Sequence, residues 1–146
     1  LAAPTAYGTP RRAVVGWDSA RLAMILAVLE TRCGLSFSGR DVYLSVAGGL
    51  RITEPAADLA VAAALISALA DRALPKQCVV FGEVALSGEV RPAGRSDLRL
   101  KEAAKLGFTS AFAPPQKKLN GASAVKIRQI SHIADLAAAI GVEGFE

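Results

Sequence analysis

Few residues of this chain are of types that do chemistry, and their spacing narrows what they can do. His132 is the single histidine. A metal site built on several imidazoles is therefore excluded, and a Ser-His-Asp arrangement would depend on a residue at the start of an expected helix, where an imidazole is exposed or caps the helix. Cys33 and Cys78 are the only cysteines; they lack metal or redox spacing, no neighbour would activate either thiol, and both read as reduced packing residues. Gly48-Gly49 is not followed by the Lys-Ser/Thr of a phosphate loop and reads as a turn. What remains is positive charge. Between Arg91 and Lys105 stand Arg91, Arg95, Arg99, Lys101 and Lys105 against Asp97 and Glu102, and residues 116–130 carry Lys117, Lys118, Lys126 and Arg128 with no acid. Basic clusters contact phosphates when a surface gathers them and are solvated faces when it does not. No aromatic residue interleaves with them, which favours sequence-independent phosphate contact over stacking on single-stranded bases. Arg21 and Arg32, on one face of an expected helix, form a second and less favoured basic face.

Alternating strands and helices must position these side chains. The organising stretch is Thr53 to Ala70, which reads as a buried helix with Thr53 as its cap, Pro55 in the first turn and Asp58 near the positive end. Between Asp58 and Asp71 only Ser67 is polar, so no solvent face is left. The run is also shorter than the roughly 20 apolar residues of a membrane span. Arg12 to Gly16 is a strand, and Asp18 or Ser19 starts a helix that stops before Gly34. Asp41 to Ala47 alternates Val42, Leu44 and Val46 with Tyr43 and Ser45, a strand with two unlike faces. Cys78 to Phe81 begins another strand, Leu86-Ser87-Gly88-Glu89 turns a hairpin, and a third helix runs from about Asp97 to Leu106. Strands follow at Thr109 to Ala113 and Val125 to Ile130, and Ser131 is the predicted cap of a last helix ending at Gly141. The expected class is α/β, a mixed sheet with packed helices.

The chain has 146 residues, 52% hydrophobic and 21% charged, enough apolar mass for one folded domain and too much for a disordered chain. Its net charge of +4 permits a polyanionic partner without requiring one. No secretory pattern opens it and it does not start with methionine, which together suggest a fragment of an intracellular, cytoplasmic protein with no membrane partner. Residues 1–10, with Pro4, Gly8 and Pro10, read as a linker from an upstream part, and 11–146 as the folded domain.

Three motifs carry a family resemblance. Asp41-Val42-Tyr43-Leu44-Ser45-Val46, Thr53-Glu54-Pro55-Ala56-Ala57-Asp58 and the run from Gly82 to Pro92 resemble, in order and spacing, the proteolytic domain of Lon-type ATP-dependent proteases. Nearer still is the C-terminal Lon-like domain of the RadA/Sms family of bacterial DNA repair proteins, to which Pro10-Arg11-Arg12, Asp18-Ser19, Arg21-Leu22-Ala23 and Lys101 to Phe108 are also similar. The resemblance implies a Lon proteolytic-domain-like fold whose Ser-Lys dyad is lost. Ala56 stands at the serine position and Asp97 at about the lysine position; alanine has no hydroxyl to attack a carbonyl, and an anion cannot replace a neutral amine as base. Glu54 and Asp58, where Lon has glycines, would crowd the former substrate cleft and charge it negatively.

The resemblance further implies a parent that is a hexameric ATPase driving DNA branch migration. ATP, Mg and Zn belong to its other parts and no cofactor to this chain, whose partners are DNA and further copies of itself in a ring. The expected function is a non-proteolytic domain serving ring assembly and sequence-independent DNA contact. Two alternatives stand beside it: a pure oligomerisation scaffold, and a Ser-Lys peptidase with a displaced dyad, for which Ser67 or Ser96 with Lys101 are the candidates.

Overall fold

The computed structural model describes residues 1–116 and 124–141. Two short strands, β1 (Ala2–Pro4) and β2 (Arg12–Val15), flank β3 (Arg40–Ser45), β1 antiparallel to it and β2 parallel. This is a mixed sheet, as expected. Ala2–Pro4 fall in the stretch read as linker, so part of that extended chain is a sheet strand. β3 has the two predicted faces, with Val42 buried and Leu44 packed against the core while Tyr43 and Ser45 are exposed. The crossover from β2 to β3 is α1 (Ser19–Cys33), which Asp18 caps by accepting the Arg21 N–H and which Gly34 ends at φ 67.

Residues 55–57 form a turn of 3-10 helix that leads into α2 (Asp58–Ala70). Leu59, Val61, Ala62, Ala63, Leu65 and Ile66 are buried, the packing that a helix without a polar face requires. Its start departs from expectation, because Thr53 does not cap it and no side chain caps either turn. The 3-10 turn satisfies the Ala57 and Asp58 N–H groups locally, through the Glu54 and Pro55 carbonyls, and the next is satisfied from across the fold. Leu59 N–H donates to the Gly82 carbonyl at 3.0 Å, and Gly82 N–H returns a bond to the Ala56 carbonyl at 2.8 Å. A side chain at Gly82 would meet Val90 at 2.8 Å from its Cβ, so only glycine permits this stitch.

Beyond α2 come β4 (Cys78–Val80), the hairpin of β5 (Glu83–Val84) and β6 (Val90–Arg91), α3 (Ser96–Lys105), β7 (Ser110–Ala113), β8 (Lys126–Gln129) and α4 (Ile133–Ile140). β4, β7 and β8 make a second, parallel sheet in the order β4-β7-β8. Two cores result. The larger gathers α1, α2 and α4 with Val42 of β3 and Phe112 of β7; the smaller packs Leu100 and Ala103 of α3 against Phe81, Ala111, Ala113 and Val125.

The cap of α4 is not Ser131 but His132, whose Nδ1 accepts the Ala134 N–H at 3.1 Å. Asp135 accepts the His132 N–H at 3.0 Å and the Ser131 hydroxyl at 3.0 Å. A reciprocal capping box is thereby complete, and it makes the serine a donor to the box rather than its cap. The hairpin tip docks on this helix start: Ile133 N–H donates to the Gly88 carbonyl at 2.8 Å, and a Cβ at Gly88 would lie 2.6 Å from His132 Nε2. Among the described residues no helix is long and apolar enough to cross a membrane.

Candidate functional site

Ala56, the position where the resemblance places a lost nucleophile, lies on the wall of a groove of about 680 Å³. One side of the groove is the start of α2 with Ala57 and Ala60, the floor is the end of β4 with Val79, Val80 and Phe81, and the other side is α3. From α3 come Arg95, Leu98, Arg99, Glu102, Ala103 and Leu106. These residues recur at helical spacing along one face. The walls are mainly apolar, and Leu98 and Leu106 remain 58% and 68% exposed, an expense in water-exposed apolar surface within an otherwise polar helix. The sequence reading of this helix gave its range and not this face, for which Leu98 and Leu106, two turns apart, were the available signal.

Charge at this site is largely neutralised. Arg99 pairs with Glu54, donates from Nε to the Gly94 carbonyl at 2.9 Å and sits 5.9 Å over the Phe81 ring. Asp58 does not charge the cleft, contrary to expectation. It is 1% exposed, takes Arg21 in a two-pronged pair at 2.6 and 2.7 Å, and accepts the Val84 N–H at 3.1 Å. The Arg21 guanidinium is held above its ordinary value, first by its hydrogen bond to Asp58 and against desolvation. A buried carboxylate with three donors is a structural joint between α1, α2 and β5.

The basic residues therefore separate. Arg21 and Arg99 are engaged as described, Arg91 stands in register with Glu83 across the hairpin, and Arg32 reaches the Leu86 carbonyl at 3.5 Å. Arg21 and Arg32 do share a face of α1, since both meet the segment around the β5–β6 hairpin. Arg95, Lys101 and Lys105 are exposed. Lys117 and Lys118 lie outside the described residues. On β8, Ile127 packs into the α3 side of the sheet, so Lys126 and Arg128, which alternate with it, belong to the opposite face. The clusters of α3 and β8 are on different sides of the second sheet.

The other candidates have structural employment. Ser67 donates to the Arg72 carbonyl and Ser96 to the Ala93 carbonyl, the latter at 2.9 Å. Lys101, five residues beyond Ser96, lies about 140° around the helix from it. Asp97 is exposed in the first turn of α3. Burial pushes the Cys33 thiol up, away from the reactive thiolate.

The family model described as subunit ChlI of Mg-chelatase matches residues 5–117, well over half of the chain. The chain belongs to this family. It is also homologous over nearly its whole length to proteins named DNA repair protein RadA. That of Brucella abortus (strain 2308) is 55% identical over 150 residues, covering 99% of this chain and 31% of the relative. That of Rickettsia bellii (strain RML369-C) is 49% identical over 141 residues, 97% of the chain and 31% of the relative. In Mycolicibacterium smegmatis the identity is 55% over 115 residues, 79% and 24%. The chain thus spans about a third or less of the length of these curated relatives. The matching family model is that of ChlI, not one described as Lon, and this ChlI-family chain is a mixed α/β unit with packed helices.

Proposed function

We propose that the chain is the C-terminal Lon-like domain of a RadA/Sms-type DNA repair and recombination ATPase, without peptidase activity of its own, serving ring assembly and sequence-independent DNA contact during branch migration. The observation that carries this reading is the 55% identity to a DNA repair protein RadA over 99% of the chain. Support for the lost activity comes from Ala56, which brings no hydroxyl to the groove, and from Ser67 and Ser96, whose hydroxyls are bonded to backbone carbonyls. ATP, Mg and Zn would belong to the parts of the parent outside this chain, and the cytoplasm would be its compartment. The DNA-contact surface is the solvent face of α3, with Lys101 and Lys105 one turn apart, joined by Arg95 at the groove rim before it and by Arg91 of β6; Arg21 and Arg99, already paired, contribute little. Feeble contacts by single domains would add up in a hexamer through multivalency.

The test is binding of DNA by the parent protein across a salt series. Lys101→Ala with Lys105→Ala should weaken binding and flatten the slope of log affinity against log salt by about one unit for each phosphate left without its cation. An unchanged slope for this pair and for Arg91→Ala with Arg95→Ala sinks the DNA-contact role. The second reading, a pure oligomerisation scaffold, then takes its place. It is favoured by the exposed Val15 and Tyr43 on the outer face of the first sheet and by Leu50, 64% exposed.

A further inference from the structure

One surface of the fold joins an exposed aromatic ring to three cations, away from the groove and from the charges of α3. The loop of residues 6–10 links β1 to β2, and β3 holds both of its feet. Thr5 N–H donates to the Gly39 carbonyl at 2.8 Å, while the Asp41 carboxylate accepts the Thr5 hydroxyl at 3.1 Å and the Arg11 N–H at 2.8 Å. Between those feet the chain stands clear. A Cβ at Gly8, whose φ is +68, would meet nothing within 4 Å, and Tyr7 beside it is 93% exposed. The left-handed glycine turns the tip, and the ring is presented from a loop tied at both ends.

Positive charge gathers around the same loop. Arg11 and Arg12 follow it in the chain, and the parallel pairing of β2 with β3 brings Arg40 beside them from 28 residues away. Two residues of chain span at most about 7 Å, so Tyr7 stands within that distance of Thr5, whose N–H is bonded to the residue before Arg40. Among the described residues none of the three guanidinia belongs to an ion pair. Arg12 is engaged, donating to the carbonyls of Arg11, Phe37 and Arg40, but these partners carry no charge. Asp41 alone sets one negative charge against three positive. An uncovered aromatic ring beside guanidinia can stack a base while the cations hold its phosphates. A duplex offers the ring little, because its bases are already stacked on one another.

We propose that the Tyr7 loop is a second nucleic-acid contact, selective for single strands: the Tyr7 ring stacks on an unpaired base while Arg11 and Arg40 hold the adjoining phosphates. Arg12, fixed to three carbonyls, contributes its field rather than a contact. The proposal rests on the DNA-contact reading and adds to it a preference for unpaired bases, which the lysines of α3 cannot supply because phosphate contact is the same for every base.

Fluorescence anisotropy of the parent protein with labelled oligo-dT, and with an abasic strand of the same length and charge, tests it. Oligo-dT should bind about fivefold or more tightly than the abasic strand. Tyr7→Ala, at a residue 93% exposed, should bring that ratio toward one with an unchanged melting temperature and unchanged binding of abasic and duplex DNA, and Tyr7→Phe should preserve the ratio. Arg11→Gln with Arg40→Gln should weaken both single strands alike and flatten their salt slope. A ratio near one in the native protein, a ratio that Tyr7→Ala leaves intact, or indifference of both strands to the arginine pair overturns the proposal and leaves phosphate contact by α3 standing. Failure of both strands and of duplex DNA to bind overturns the two readings together. A glutamate-rich peptide that binds more tightly than oligo-dT and is lost with Tyr7→Ala also overturns it, and makes an acidic protein segment the occupant.

Discussion

Asp58 is where single residues matter most to this fold. Its carboxylate is buried, paired with Arg21 and bonded to the Val84 N–H, so its removal leaves a guanidinium and a backbone donor without their acceptor. Asp58→Ala should cost about 3 kcal/mol in urea unfolding, and Arg21→Ala a smaller amount, because Arg21 keeps some contact with water. The double variant should cost less than the sum, the mark of a coupled pair. Asp135 predicts a dependence on pH. Partial burial pushes its carboxyl up, but the His132 N–H and the hydroxyl and N–H of Ser131 more than reverse this and hold it below the ordinary 3.8. A folded value below the unfolded one stabilises the fold fully above the ordinary carboxylate range, and that contribution is lost as pH falls through the folded value. The urea midpoint should therefore fall more steeply between about pH 5 and 2 for the native chain than for Asp135→Asn. Equal slopes would show that the capping box does not hold in solution.

At the scale of elements, α3 divides its work between two faces. Arg95, Leu98, Arg99, Glu102 and Leu106 line the groove, and Leu100 and Ala103 enter the smaller core, leaving Lys101 and Lys105 to solvent. The geometry bears on any attempt to install a Ser-Lys dyad. Ala56 is 6% exposed and Asp97 is in the exposed first turn. Ala56→Ser with Asp97→Lys should leave casein and peptide substrates uncleaved, because a nucleophile needs both a base within hydrogen-bond reach and an oxyanion site. Hydrolysis at more than ten times the rate of the native chain would show that the groove still has the form of a peptidase site. Labelling of the native chain by a serine-directed reagent would point to the displaced dyad.

For the whole molecule, exposed apolar side chains lie in separate regions, Val15 and Tyr43 on the first sheet and Leu98 and Leu106 along the groove. Surface of this kind favours association. Sedimentation at high concentration should reveal species larger than the 15.1 kDa monomer, and a monomer throughout would count against the proposed role of this chain in ring assembly. Much of the architecture was legible in the residue order. The two faces of β3, the hairpin around Gly88 and the ends of α1 each follow from a local pattern of apolar spacing or a turn residue. Thr53 and Ser131 misled because a cap depends on which acceptors the neighbouring chain supplies, and Gly82 and Asp135 supply them here.

The residue order by itself determined that α2 is buried, since a helix with no polar stripe has no side to give to water. It likewise determined that the chain offers no multi-histidine metal site and that position 56 has no hydroxyl. Only the tertiary structure decided which charges are free. Arg21 meets Asp58 across 37 residues and Arg99 meets Glu54 across 45, and no local periodicity encodes such pairs because loop paths bring them together. The groove was decided in the same way. Its walls come from α2, β4 and α3, and a concave surface exists only once distant elements have packed.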